Sequence, residues 1–224
     1  MKLLTYNIRK AIGLDRRRDP HRILEEINHS GADVVVLQEA DRRLGNRPAA
    51  LPARLIVEES DYTPVPLDIT GVSLGSHGNA ILVRKGTEVA LPQRIELPGF
   101  EPRGAVSVEI AGTLRVIGTH LGLMRRHRVR QLSALSDVLD DHPMPTAMLG
   151  DFNEWSAAQG FEALHEDFTL YAPGHSFHAA RPMAALDRVA LSPGLELRDA
   201  GVIETQLSRI ASDHLPVWAE VAAR

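Results

Sequence analysis

Gly150-Asp151-Phe152-Asn153 follows directly on the apolar run Thr146-Ala147-Met148-Leu149, and later in the chain stands Ser212-Asp213-His214-Leu215-Pro216. A short apolar run that ends in Gly and then Asp-x-Asn reads as a buried strand delivering a carboxylate and an amide to the exposed end of a sheet. At such a place the carboxylate can orient a water and the amide can hold a phosphoryl oxygen. The second motif has the reverse order. Asp213 and His214 come first, and Leu215, Val217 and Trp218 then enter a strand whose start tolerates Pro216. Together the two motifs have the residue types of a metal-dependent phosphoesterase site.

Such residues need strands to carry them. Residues 3–6 read as a first strand ending at Asn7, and Asp19-Pro20 supplies an N-cap and first helical residue for a helix over 20–28 closed near Gly31. Asp33-Val34-Val35-Val36-Leu37-Gln38-Glu39 is a continuous apolar run of the kind buried on both faces, and it also terminates in a carboxylate. Three strands therefore end in Asn7, Glu39 and Asp151/Asn153. Further strands are expected over 80–83, 88–95, 105–110, 114–119, 187–191, 197–202 and 217–221. Helices are expected over 125–140, where Val129, Leu132, Leu135, Ser136 and Leu139 recur at helical spacing, and over 157–164. Many strands with few helices imply two packed sheets covered by helices. Segments 71–78 and 172–185, rich in Gly, Pro, Ser and His, read as long loops of the kind that are often functional. No internal repeat or low-complexity segment is visible.

The chain of 224 residues is long enough for one large core, and with no break in composition we expect one catalytic domain over 1–224. Its 44% hydrophobic and 24% charged residues are those of an ordinary globular protein, which argues against disorder. With 25 Lys+Arg against 29 Asp+Glu the formal charge is −4, so wholesale polyanion binding has no support, and nucleic acid is neither required nor excluded. There is no cysteine, which rules out disulfides, thiolate zinc sites and thiol nucleophiles and leaves oxygen and imidazole to hold any metal. The first residues run straight into a polar motif without the apolar core of a signal peptide, and no long apolar stretch follows. A cytoplasmic protein without a transmembrane segment is the expectation; the oligomeric state is not legible.

Asn7, Glu39, Asp151, Asn153, Asp187, Asp213 and His214 all fall at expected strand ends, and hard divalent cations need convergent oxygen donors of this sort. At these residues the sequence resembles the endonuclease/exonuclease/phosphatase superfamily, which includes exonuclease III, DNase I, apurinic endonucleases, neutral sphingomyelinases and inositol polyphosphate 5-phosphatases. The matching segments are Thr5-Tyr6-Asn7-Ile8-Arg9, Leu37-Gln38-Glu39, Gly78-Asn79-Ala80-Ile81-Leu82, Gly118-Thr119-His120-Leu121, Gly150-Asp151-Phe152-Asn153, Leu186-Asp187-Arg188-Val189 and Ser212-Asp213-His214-Leu215-Pro216. Each is weak alone; all seven in the family's order carry the resemblance.

The resemblance implies a DNase I-like, four-layer α/β sandwich, two packed mixed β-sheets flanked by helices, with the site at one end. Residue by residue it implies that Glu39, helped by Asn7, binds Mg²⁺ or Mn²⁺ at a phosphoryl oxygen. Asp151 orients or deprotonates the attacking water and Asn153 donates to the phosphate. His214, held by Asp187, stabilises the pentacovalent phosphorus. Asp213 adds a ligand for a second metal or steers water. His120 matches a position that contacts phosphate or braces the metal-binding carboxylate, against a structural role common for strand-end histidines. Arg103 stands where several members place a phosphate contact and reads equally as a solvated loop cation. Asn79 either lines the site or serves the turn.

The substrate is less defined. Met124-Arg125-Arg126-His127-Arg128-Val129-Arg130 and Arg16-Arg17-Arg18 fit a grip on phosphates, or a cationic helix start and a solvated loop. Aromatics make up 4%, leaving few platforms for base stacking; Trp155 is the best placed, though its residue type also suits a core. A G-x-S-x-G elbow for a serine hydrolase is missing. The expected function is phosphodiester hydrolysis with Mg²⁺ or Mn²⁺. The alternatives are a DNA or RNA nuclease, a phospholipid or sphingomyelin-type phosphodiesterase, and a silent binding module, against which the intact Glu39, Asp151, Asn153, Asp187 and His214 argue.

Overall fold

The computed structural model describes residues 1–140, 143–156 and 159–224. In these, strands β1 (Lys2–Asn7), β2 (Val34–Gln38), β3 (Tyr62–Pro64), β4 (Ala80–Arg84), β5 (Val89–Leu97), β6 (Arg103–Ile110), β7 (Leu114–His120), β8 (Thr146–Asp151), β9 (Thr169–Tyr171), β10 (Asp187–Leu191), β11 (Leu195–Val202) and β12 (Val217–Ala223) alternate with helices α1 (Pro20–Ser30), α2 (Ala53–Glu59), α3 (Arg125–Asp140) and α4 (Ser208–Ala211). The strands form two six-stranded sheets, ordered β11-β12-β1-β2-β4-β3 and β5-β6-β7-β8-β10-β9. In each the central pair is parallel, β1 with β2 and β7 with β8, and the flanking pairs are antiparallel. The two sheets share one topology, shifted along the chain so that β5 to β10 repeat the places of β11, β12, β1, β2, β3 and β4. Each parallel crossover runs through a helix, α1 or α3.

Strand alternation assigns the layers. Leu3, Val34, Val36, Ile81 and Val83 of the first sheet meet Val106, Val108, Val116, Ala147, Leu149, Val189 and Leu191 of the second. On the outer faces, Ile23, Leu24 and Ile27 of α1 pack on Leu4, Tyr6, Val35 and Leu37, while Leu132 and Leu135 of α3 pack on Ile117 and Met148. Each such side chain contributes about 1.5–3 kcal/mol on full burial. The result is the expected order of helix, sheet, sheet, helix. Helix α1 starts as its sequence predicts: Asp19 accepts from the N–H of His21, Pro20 takes the first turn, and Gly31 closes the helix at φ 63°.

Four elements carry no sequence signal strong enough to predict them. Strands β3 and β9 are three residues each, too short for a period, and α2 and α4 are short helices of seven and four residues. Of the helix expected over 157–164, residues 157 and 158 lie outside the described residues, and the rest holds a 3-10 turn at Glu162–Leu164 behind Gly160 at φ 93°. Val129 turns out to be 37% exposed, not part of the inward stripe of α3. Among the described residues no helix is long and apolar enough to cross a membrane.

The same alternation builds the site. Leu3, Thr5 and Asn7 share a face of β1, as do Val116, Gly118 and His120 in β7, Ala147, Leu149 and Asp151 in β8, and Leu191, Val189 and Asp187 in β10. The inter-sheet core thus becomes polar at one end.

Candidate active site

Strand β1 faces β8 and β2 faces β7 across the sandwich. Asp151, 2% exposed, occupies the centre of the polar end. Its Oδ2 accepts from Asn7 Nδ2 at 3.0 Å, and its Oδ1 accepts from the backbone N–H of Asn153 at 2.9 Å. The Nε2 atoms of two histidines approach the same Oδ2, His120 at 3.5 Å and His214 at 3.6 Å. On its other side, His214 Nδ1 lies 2.7 Å from Asp187 Oδ2, which also accepts from the Ser176 hydroxyl at 2.5 Å. Ser212 Oγ donates to the carbonyl of Asn7 at 2.7 Å and so ties the Ser-Asp-His segment to β1.

The two histidines are driven to opposite charge states. Burial of His120, with Arg103, His214 and Lys10 nearby, outweighs Asp151 and lowers its pKa to about 3. His214 is also opposed by burial, but Asp187, Asp151 and Asp213 prevail and raise it to about 10. At neutral pH a neutral imidazole and an imidazolium therefore flank one carboxylate, a separation typical of groups with distinct proton roles.

Glu39 ends its strand beside this pair. The Lys10 ammonium lies against its carboxylate, and Arg9 Nε is 3.3 Å from Asp213 Oδ2. The backbone here is left-handed at non-glycine residues: Arg9, Lys10 and Ala11 have φ of 46°, 58° and 56°, and Glu39 and Asn153 both 52°. Each such residue costs on the order of 1–3 kcal/mol, and strain gathered at one end of a fold is characteristic of functional sites. A cleft of about 390 Å³ opens beside Glu39, lined by Lys10, Arg103 and His120 among others.

Among the described residues no three His, Cys, Asp or Glu side chains group as a metal cage. A single carboxylate, Glu39, with the amide of Asn7 on the neighbouring strand is instead the sparse, hard oxygen set that suits Mg²⁺, which retains waters and takes substrate oxygens. The donors present fit that ion.

The structure brings together Asn7, His120, Asp151, Asn153, Asp187, Asp213 and His214, with Glu39 beside them. Asn153 is held by its amide, which donates to the carbonyl of Leu121 at 2.9 Å. Arg103 is buried in the cleft wall against Glu101 at 3.2 Å rather than solvated. Asn79 does not reach the open face: it is fully buried and donates to the carbonyl of Gly104 at 2.8 Å, pinning β4 to β6. Trp155 is 63% exposed instead of in the core, its ring 6.0 Å from that of Phe177. The basic run is partly structural. Arg128 is buried against Glu154 at 2.6 Å, and Arg125 pairs with Glu162 at 3.3 Å. Sequence reasoning misses Lys10 and Ser176. For Lys10 there is no signal, whereas Ser176 lies in a loop whose length marked it out.

Residues 4–214 match the Endonuclease/Exonuclease/phosphatase family. The chain is 27% identical over 244 aligned positions to the uncharacterized protein YbhP of Escherichia coli (strain K12), covering 98% of this chain and 95% of that one. Among solved structures it resembles a mannosyl-6-phosphatase of Bacteroides thetaiotaomicron VPI-5482, with a TM-score of 0.76, 16% identity and 99% coverage of both chains. It resembles equally the TDP2 of D. rerio complexed with single strand DNA product, with a TM-score of 0.76, 17% identity and coverage of 100% and 99%. At these identities the solved structures speak for the fold, and the match over residues 4–214 speaks for the family. The chain belongs to the endonuclease/exonuclease/phosphatase family.

Proposed function

We propose that the chain is a Mg²⁺- or Mn²⁺-dependent phosphodiesterase in which water attacks a phosphate ester. The observation that carries this reading is Asp151, a buried carboxylate set between an imidazolium and a neutral imidazole, with Glu39 at the adjoining strand end. Glu39 with Asn7 would hold the cation, and Asp213 at the rim is the further candidate ligand; when bound, the ion neutralises charge on a phosphoryl oxygen.

Asp151 orients the attacking water and takes its proton as the water oxygen bonds to phosphorus. The ester P–O bond breaks on the opposite side, and the leaving oxygen takes a proton from solvent. His214, kept charged and oriented by Asp187, donates to the phosphoryl oxygen that gains negative charge. Asn153 has a second amide hydrogen to offer the phosphate beyond the one given to Leu121. His120 braces Asp151, and Arg103 adds positive charge in the cleft wall. A second reading, cleavage of DNA or RNA, uses the same chemistry and is favoured by the likeness to the TDP2 of D. rerio, solved in complex with single strand DNA product.

The test is hydrolysis of bis(p-nitrophenyl) phosphate and nicking of supercoiled plasmid in Mg²⁺ and in Mn²⁺, with Glu39→Ala and His214→Ala alongside. Turnover by the wild type, lowered by several kcal/mol of barrier in each variant, supports the reading. Nicking separates nuclease from small-ester activity. An inactive wild type, or a Glu39→Ala variant as active as wild type, overturns it.

A further inference from the structure

We propose that the cleft beside Glu39 binds a second phosphate on the substrate, and that Arg43 and Arg47 are the residues that read it. The inference rests on the phosphoesterase reading for its notion of a substrate, and it concerns a part of the cleft away from the reacting centre. The cleft is lined by Glu39, His120, Lys10 and Arg103 and extends to Arg43 and Arg47, whereas His214 and Asp187 do not line it.

Loop geometry fixes where these arginines stand. After Glu39 the chain closes into a hairpin-like loop: Arg42 N–H donates to the Pro48 carbonyl at 2.9 Å, and Ala50 N–H to the Ala40 carbonyl at 2.7 Å. Asp41, buried at the loop's base, accepts from the Leu74 N–H at 2.6 Å and anchors it to the neighbouring segment. The segment that delivers Glu39 thus also presents Arg43 and Arg47 over the same cleft.

Charge balance then selects the ligand. Lys10 is engaged by Glu39, and Arg103 by Glu101. Among the described residues neither Arg43 nor Arg47 takes part in a salt bridge, and Asp41, which lines the same cleft, interacts with Arg47 through charge alone. A guanidinium offers a planar fork of donors that matches phosphate, and two of them outside any salt bridge at the cleft provide for an anion. The cleft's roughly 390 Å³ suits a phosphorylated sugar or nucleoside, not a duplex.

The experiment compares thymidine 5′-(p-nitrophenyl phosphate) with the same compound bearing a 3′-phosphate. The wild type is expected to favour the second by about tenfold in kcat/KM, mainly through KM, which is the scale that two exposed charge contacts support. In Arg43→Ala/Arg47→Ala the ratio falls to about one, and Arg43→Ala alone, at an exposed position, supplies the comparison if the double variant does not fold. Calorimetric titration of thymidine 3′,5′-bisphosphate against thymidine 5′-phosphate gives a readout without turnover. If the wild type hydrolyses neither ester, the phosphoesterase reading fails, and the calorimetric preference still decides the role of the arginines. Inositol 1,4-bisphosphate against inositol 1-phosphate distinguishes a nucleotide source of the second phosphate from an inositol one. A wild type that binds no bisphosphate more tightly than its monophosphate, or a double variant that keeps the preference, overturns the proposal.

Discussion

Replacing Glu154 by Leu tests how the segment that carries Asn153 is held. Arg128 of α3 reaches Glu154 Oε2 at 2.6 Å with side-chain exposures of 7% and 8%, and it also donates to the carbonyls of Gly122 at 3.2 Å and Leu123 at 2.6 Å. Glu154 Oε1 accepts from the Ser156 N–H at 2.9 Å. Removing one member of a buried ion pair costs about 3–5 kcal/mol because the other charge is stranded. The two carbonyls that remain on Arg128 reduce this to about 2–3 kcal/mol. For a chain of this size that lowers Tm by roughly 4–12 °C, readable by scanning calorimetry. Arg128→Met/Glu154→Leu removes both charges and is expected to regain most of the loss, to within about 1.5 kcal/mol of wild type. Acid is expected to weaken the same contact. Burial works to raise the Glu154 pKa, but the Ser156 N–H and the Arg128 guanidinium outweigh it and hold it below its ordinary 4.5. The contribution is therefore complete above that value and lost as pH falls through the lower folded-state pKa. A Glu154→Leu protein melting within about 1 °C of wild type refutes the reasoning.

Other outcomes follow from the same geometry. In the metal-free protein His214 is expected to remain charged until pH approaches about 10, while His120 remains neutral down to about 3, so imidazole NMR titrations of the two should diverge; either one titrating near 6.5 contradicts the assignment. Because the folded pKa of His214 is raised, its contribution to stability is full below 6.5 and lost as pH rises through about 10. Gly150→Ala places a Cβ 1.9 Å from the Thr119 carbonyl oxygen of the paired strand at φ 156°, and a loss of about 3 kcal/mol or more is expected; a wild-type melting curve would be incompatible with this. Gly118→Ala puts a methyl 2.5 Å from Val36 Cγ1 across the two sheets, at about 1–3 kcal/mol, and Val36→Ala in the same chain should relieve it. Failure of that rescue in denaturant melts would show that the clash lies elsewhere.

The strand ends are legible in the sequence because apolar runs stop abruptly at polar residues. Val34 to Leu37 and Ala147 to Leu149 can only be buried, so Glu39 and Asp151 must emerge where those runs finish. Single residues outside that pattern are not legible. Nothing in Arg9-Lys10-Ala11 announces three consecutive left-handed residues that turn the Lys10 ammonium onto Glu39, because that conformation is imposed by bonds such as Lys10 N–H to the Glu39 carbonyl at 3.0 Å. Trp155 misleads for a related reason: hydrophobicity alone assigns it to a core, while the left-handed turn at Asn153 and the Glu154 anchor carry the chain to the surface. Asn79 likewise sits in a family motif, yet its amide closes the backbone between β4 and β6, a partner that only tertiary packing supplies.

The site belongs to neither sheet alone. The first sheet's strands and the segments entering or leaving them provide Asn7, Glu39 and His214; the second's provide His120, Asp151 and Asp187. The bonds that define the chemistry cross between them, from Asn7 to Asp151 and from His214 to Asp187. The imidazolium of His214 is sustained chiefly by Asp187 and Asp151 of the facing sheet, so it loses its main cause if the sheets separate. The apolar layer of Leu3, Val36, Val116 and Leu149 is accordingly more than a source of stability, because it sets the spacing at which a carboxylate from one sheet meets an amide and an imidazole from the other. The matched topology of the sheets makes this possible: each places a parallel strand pair at its centre, and the two pairs of carboxyl ends open at the same end of the sandwich. Substitutions at that interface should therefore disturb the chemistry before they unfold the chain, since a shift of about 1 Å misaligns positioned groups at a smaller cost than losing the core.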